Sequence, residues 1–190
     1  MTPLSPHREQ ILSRVHTLIA AGGYNGLKEA DIAAPAGRRK RLAEPEYSDK
    51  VALLRAFVAY QRELTDAWIA EVQAASSDPS AQLKRYIGEW AKSIGDARAP
   101  FCICALLAAE LPILPEQAAA DLRAYFHHLS AWVAAVMARG AGEGSIRLAF
   151  APDIEAKIFM ATIQGAMLSA RAYGEASVFE TIAAAQLARF

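Results

Sequence analysis

Cysteine is nearly missing from this chain, and so is any surplus of charge. There are two cysteines, Cys102 and Cys104, with one residue between them. Such a pair is poor ground for a disulfide framework and fits a reducing compartment. Lys and Arg number 20, and Asp and Glu number 20. The whole chain therefore gives no electrostatic case for nucleic acid or a membrane surface, and any such case must be local. No run of about 18 uncharged apolar residues exists, which excludes a transmembrane helix. The opening residues, MTPLSPHREQ, lack the basic start and apolar middle of a signal peptide. A cytoplasmic protein without a membrane partner is the expectation. Enzyme signatures are missing too: no glycine-rich phosphate loop, no nucleophile elbow, no HExxH. Glu110 and Asp121 stand as isolated carboxylates without an evident partner. No catalytic residue, cofactor or metal is expected. Strand-like alternation and fixed-period repeats are likewise absent.

What is present favours helix. Hydrophobic residues make up 54% of 190, enough for a substantial core, and alanine is abundant. In HREQILSRVHTLIAAGGY, Ile11, Leu12, Val15, Leu18 and Ile19 fall at helical spacing, and Gly22-Gly23 ends the helix. LKEADIAAPAG is a shorter candidate, with Pro35 awkward near its end. From Ser48 a long amphipathic helix begins, with Ser48 or Asp49 as N-cap. Its apolar side is Val51, Leu54, Val58, Leu64, Trp68 and Val72. Pro79 suits a first helical position. FCICALLAAELPIL is almost wholly apolar, which predicts burial on all sides. Pro115 opens a helix of roughly seven turns, closing at Gly140. AGEGSIRLAFAP is the longest irregular connection, and two further helices complete the chain. The expectation is about nine helices, dividing near residue 48.

The order of features over residues 8 to 54 resembles the TetR/AcrR family of bacterial regulators. REQIL opens a first helix, AAGGY closes it, GL and ADIA follow, and SDKVALLRAF starts the long helix. Tyr47 stands where the family's recognition helix ends in an aromatic residue. PFCICALLAAELPILPE and IQGAMLSARAYG resemble the ligand-binding half of one branch, so the resemblance covers nearly the whole chain. It implies an all-α fold. A three-helix head containing a helix-turn-helix, residues 1–47, joins through a long fourth helix to a ligand-binding and dimerisation domain, residues 48–190. It also implies a homodimer, operator DNA and a small-molecule effector as partners.

The segment where the recognition helix belongs is atypical. Arg38, Arg39, Lys40 and Arg41 run consecutively and are followed by Glu44, Pro45 and Glu46. The four cations, with Tyr47 and Lys50, are the candidate DNA contacts. Against ordinary operator reading stand Pro45, which ends a helix early, the two acids facing a polyanion, and Lys28 where a Ser or Thr cap is usual. Residues 1 to 55 carry nine Lys/Arg and six Asp/Glu, a net +3 that suits DNA at one end of the chain. The reading is a repressor released by a small apolar or aromatic ligand. The alternative is a TetR-fold dimer that has lost sequence-specific DNA binding and serves as a ligand- or partner-binding protein.

Trp68, Trp90, Tyr86, Tyr125, Phe126, Trp132, Phe159 and Met167 lie on helices expected to surround a cavity. Most are core. Trp68, Cys102, Cys104, Phe126 and Met167 are the candidate ligand contacts. For the two cysteines, burial as small apolar residues is favoured. A thiol sensor beside Arg98 and a metal pair with His127 and His128 are the alternatives. In KIFMATIQGAMLSA, Ala161, Gly165, Ala166 and Ser169 recur about once per turn. With Ile158, Phe179 and Ile182 they form the candidate dimer interface, and Ile154 and Leu187 add apolar contact.

Overall fold

The computed structural model describes residues 6–28, 49–95 and 101–190. Among these residues it contains helices and no strand. We label them α1 (Pro6–Gly26), α2 (Lys50–Ala75), α3 (Pro79–Gly95), α4 (Ile103–Ala109), α5 (Glu116–Glu143), α6 (Pro152–Tyr173) and α7 (Ala176–Leu187). A short 3-10 turn, Leu111–Ile113, follows α4. The chain divides into two compact units: Met1–Ala67 with Ile103–Tyr125, and Trp68–Cys102 with Phe126–Phe190. These boundaries fall inside α2 and α5. The expected second and third helices, over residues 29–48, lie outside the described residues.

In the first unit, Leu12, Val15, Ile19, Leu27, Leu54, Phe57, Leu107 and Leu122 are buried to completion. The glycine break in α1 forms as its sequence requires. Gly22 leaves helical geometry and Gly23 adopts φ 61°, ψ −154°, a conformation open essentially to glycine alone. α2 starts at a side-chain cap. Asp49 Oδ1 accepts the N–H groups of Val51 and Ala52, both at 2.9 Å, which satisfies two donors of the first turn. Asp49, one of the two cap candidates, therefore caps the helix. Leu64 departs from expectation, being 41% exposed. The inward stripe of α2 steps through Gln61, Thr65, Trp68 and Val72, and Leu64 sits one residue, about 100°, off it.

Residues 101–114 are not buried on all sides. α4 buries Ile103, Cys104 and Leu107, while Ile113 is exposed. Pro112 falls in the 3-10 turn and divides the segment, so one apolar face of a seven-residue helix goes inward and the remainder does not.

In the second unit, α3 buries Pro79, Gln82, Leu83, Tyr86 and Ile87, the i, i+3, i+4, i+7 and i+8 positions of one helical face. α5 continues past Gly140 to Glu143. Gly140 serves close approach instead of ending the helix, since a Cβ there would collide with the Ile146 side chain. α6 ends at Gly174, which takes the left-handed cap conformation at φ 70°, and α7 packs back on α6. Glu155 is 1% exposed. Its Oε1 accepts the Ala149 and Phe150 N–H groups at 3.1 and 3.2 Å, and its Oε2 accepts from Arg189 at 3.5 Å. This one carboxylate ties the connection before α6 to the end of the chain.

Candidate functional site

The candidate DNA contacts fall mostly outside the described residues. Arg38, Arg39, Lys40, Arg41 and Tyr47 lie outside the described residues. Lys50, in the first turn of α2, holds its ammonium 3.7 Å from the centroid of the Tyr24 ring. The Tyr24 N–H donates to Glu110 Oε2 at 2.7 Å. Tyr24 thus joins α1, α2 and the residue after α4. Burial, followed by the negative charge of Asp49, raises the Tyr24 hydroxyl above its ordinary value.

The carboxylates without evident partners prove to be partnered. Glu110 holds Tyr24, 86 positions away. Asp121 accepts from Arg55 Nε at 2.6 Å across 66 positions. Arg55 and Asp121 border an open groove of about 640 Å³ in the first unit, with Arg8, Arg62, Glu63 and Tyr125. None of the predicted ligand contacts lines it. Its charged rim is unlike the apolar, enclosed character expected of an effector site.

The second unit gathers an aromatic cluster from four helices. The Trp68 ring of α2 lies 5.5 Å from Trp132 of α5 and 5.7 Å from Tyr86 of α3, both edge-on. Tyr86 also meets Trp90 at 6.4 Å, Trp132 at 6.1 Å and Phe159 of α6 at 5.8 Å. These are the separations and tilts at which ring quadrupoles attract. The Tyr86 hydroxyl lies 3.5 Å from Met160 Sδ, with Trp90 as a hydrogen-bonding neighbour. Burial raises its pKa far above the phenol's ordinary value. The charge of a Cys102 thiolate pushes the same way, and the Trp90 hydrogen bond opposes. Tyr86 is therefore a neutral core group.

Of the five predicted ligand contacts, Trp68 sits in this cluster and Cys102 lies within electrostatic reach of Tyr86. Met167 is buried and Phe126 half-buried. Cys104 is buried and belongs to the first unit. Neither cysteine is in a disulfide. No group of three or more His, Cys, Asp or Glu capable of holding a metal occurs among the described residues. The importance of Tyr86 and Trp132 as neighbours of Trp68 was not legible in spacing, because their helices are far apart in sequence.

On α6, Ile158, Ala161, Gly165 and Ser169 reach the surface wholly or in part, as does Ile182 on α7. Ala166 and Phe179 are buried within the chain, at 1% and 0% exposure. Ile154 and Leu168 are exposed apolar residues at 44% and 57%. With Ile158, Ala161 and Gly165 they make an apolar row stepping four, three, four and three residues along one face. Leu168 was the member that the sequence reading missed.

This helical architecture is that of TetR-type regulators. A TetR-family transcriptional regulator from Agrobacterium tumefaciens superposes with a TM-score of 0.89, at 43% identity, covering 97% of each chain. The regulatory protein TetR from Rhodobacter sphaeroides follows with a TM-score of 0.83 at 17% identity, covering 98% of this chain and 100% of that one. A TetR regulator from Legionella pneumophila gives 0.80 at 19% identity, covering 98% and 97%. No family model and no curated protein matches the chain. On the identity and coverage of the first of these similarities, the chain belongs to the TetR family of transcriptional regulators. Among the described residues, no helix is long and apolar enough to cross a membrane.

Proposed function

We propose that this protein is a homodimeric, DNA-binding repressor that a small apolar or aromatic molecule releases from its operator. The observation that carries this reading is the 43% identity, sustained over 97% of both chains, to a transcriptional regulator. The DNA contacts are Arg38, Arg39, Lys40, Arg41, Tyr47 and Lys50, on the more positive part of the sequence. The apolar row of α6, with Ile182 of α7, is the surface that a second copy covers. The aromatic cluster supplies the effector site. Release follows from linkage: effector and DNA stabilise different arrangements of the dimer, so each weakens the other.

The test is fluorescence anisotropy on the DNA upstream of the protein's own coding sequence, against a scrambled duplex, at about 50 and about 200 mM salt. Preference for the native duplex at the higher salt is the expected result, and alanine at all four of residues 38–41 abolishes it. Weak binding, equal for both duplexes and lost with salt, overturns the repressor reading.

A further inference from the structure

The three tryptophans of the chain all belong to the aromatic cluster, yet their indole N–H groups differ in fate. An indole N–H donates and cannot accept. Trp90 acts on the Tyr86 hydroxyl as a hydrogen-bonding neighbour, and Tyr86 has Met160 Sδ as its own acceptor. The N–H groups of Trp68 and Trp132 are buried and have no partner among the described residues. Trp132 as a whole is 8% exposed, and the two rings lie 5.5 Å apart, edge to face.

Buried tryptophan N–H groups ordinarily find an acceptor. Leaving one unmet costs the full desolvation penalty of the donor, so unmatched donors are few in a folded chain, and each calls for a reason. Two of them on adjoining rings form a pair of donors for which one common acceptor is the simplest reason. Of the ring neighbours recorded for the pair, only Tyr86 carries an acceptor, and its hydroxyl is turned to Met160 Sδ. The cluster's members are neutral, so an anion brought here would lose hydration without a cation to offset it.

We infer that Trp68 and Trp132 form a hydrogen-bonding clamp for the acceptor oxygen of a neutral aromatic effector, of the aryl ketone, aldehyde, ester or quinone class. The surrounding rings hold the aromatic body, and the two indole N–H groups select the oxygen. A site built to donate discriminates against an analogue without the acceptor, because its donors then stay unpaired. This rests on the effector-site reading above and narrows it to a chemical class.

The experiment is two-dimensional 1H–15N NMR of the full-length protein, following the three indole signals. Each is assigned by Trp68→Phe, Trp90→Phe and Trp132→Phe. The probes are acetophenone and cumene, which have matched shape, with a carbonyl oxygen in one replaced by a methyl group in the other. Acetophenone is expected to move the Trp68 and Trp132 indole protons downfield, leave that of Trp90 in place, and bind about tenfold or more tightly than cumene. Apolar burial alone would favour cumene, the more hydrophobic of the two. Trp132→Phe and Trp68→Phe should each remove the preference, with the two remaining indole signals reporting that the fold persists. Equal binding of both compounds, or a preference surviving both variants, overturns the clamp and leaves the effector site standing. If neither compound moves any indole signal, the clamp and the effector site are overturned together.

Discussion

The backbone N–H of Tyr24 donates to the Glu110 carboxylate at 2.7 Å, directly beside the break at Gly22 and Gly23. Glu110 there serves a donor that the interrupted helix cannot satisfy itself. Glu110→Ala should lower stability by roughly 1.5–3 kcal/mol, the range for a hydrogen bond to a charged group. Glu110→Gln, which keeps an acceptor, should lose less. Urea denaturation midpoints decide. Equal stability of all three proteins would contradict the role.

Gly23 belongs to the same joint. Its φ of 61° is strained for any L side chain, and a Cβ would strike Glu110 Oε1. Gly23→Ala should therefore destabilise by about 1–3 kcal/mol, and by less when combined with Glu110→Ala. That double-mutant cycle separates the collision from the backbone strain.

The cap at Asp49 gives a second stability test. Asp49→Ala leaves the N–H groups of Val51 and Ala52 without their acceptor and should cost about 1 kcal/mol. Asp49→Asn should cost less. Thermal or urea unfolding distinguishes the two.

Burial lowers the pKa of His16 below its ordinary 6.5, and the ring faces Phe57 at 6.3 Å. The unfolded chain thus takes up a proton at higher pH than the folded chain does. The stability associated with the neutral ring is complete above about pH 6.5 and is lost as pH falls toward the depressed folded value. The drop in urea midpoint between pH 7.5 and pH 5.5 should be smaller in His16→Gln than in the unaltered protein. An unchanged drop would show that other groups carry the dependence.

Gly165 tests the dimer without disturbing the protomer. A Cβ at this position meets nothing within 4 Å inside the chain. Gly165→Glu and Leu168→Glu should each yield a folded monomer by sedimentation velocity, with helical content retained by circular dichroism. A dimer of unaltered strength in both would remove α6 from the interface.

Helices were legible in this sequence where burial repeats every three or four residues, as along Pro79, Gln82, Leu83, Tyr86 and Ile87. The break at Gly22-Gly23 was legible because only glycine accepts such backbone cheaply. Long-range polar pairing was not. Glu110 and Asp121 read as isolated, because their partners lie on distant helices. Glu155 gave no signal, since a glutamate in a first helical turn is ordinarily solvated. The aromatic residues of the cluster could be named from sequence. Which indole keeps an unmatched N–H is set by how several helices meet, and spacing along one helix does not encode that.

The most direct measurement of the central claim is a hydroxyl-radical footprint on the upstream DNA. A dimer with two reading heads predicts two protected half-sites, related by inverted symmetry, one helical turn of about 10–10.5 bp or a small multiple apart. Protection should vanish with alanine at all four of residues 38–41. A uniform or absent footprint, at concentrations where the protein is fully dimeric, would contradict the account.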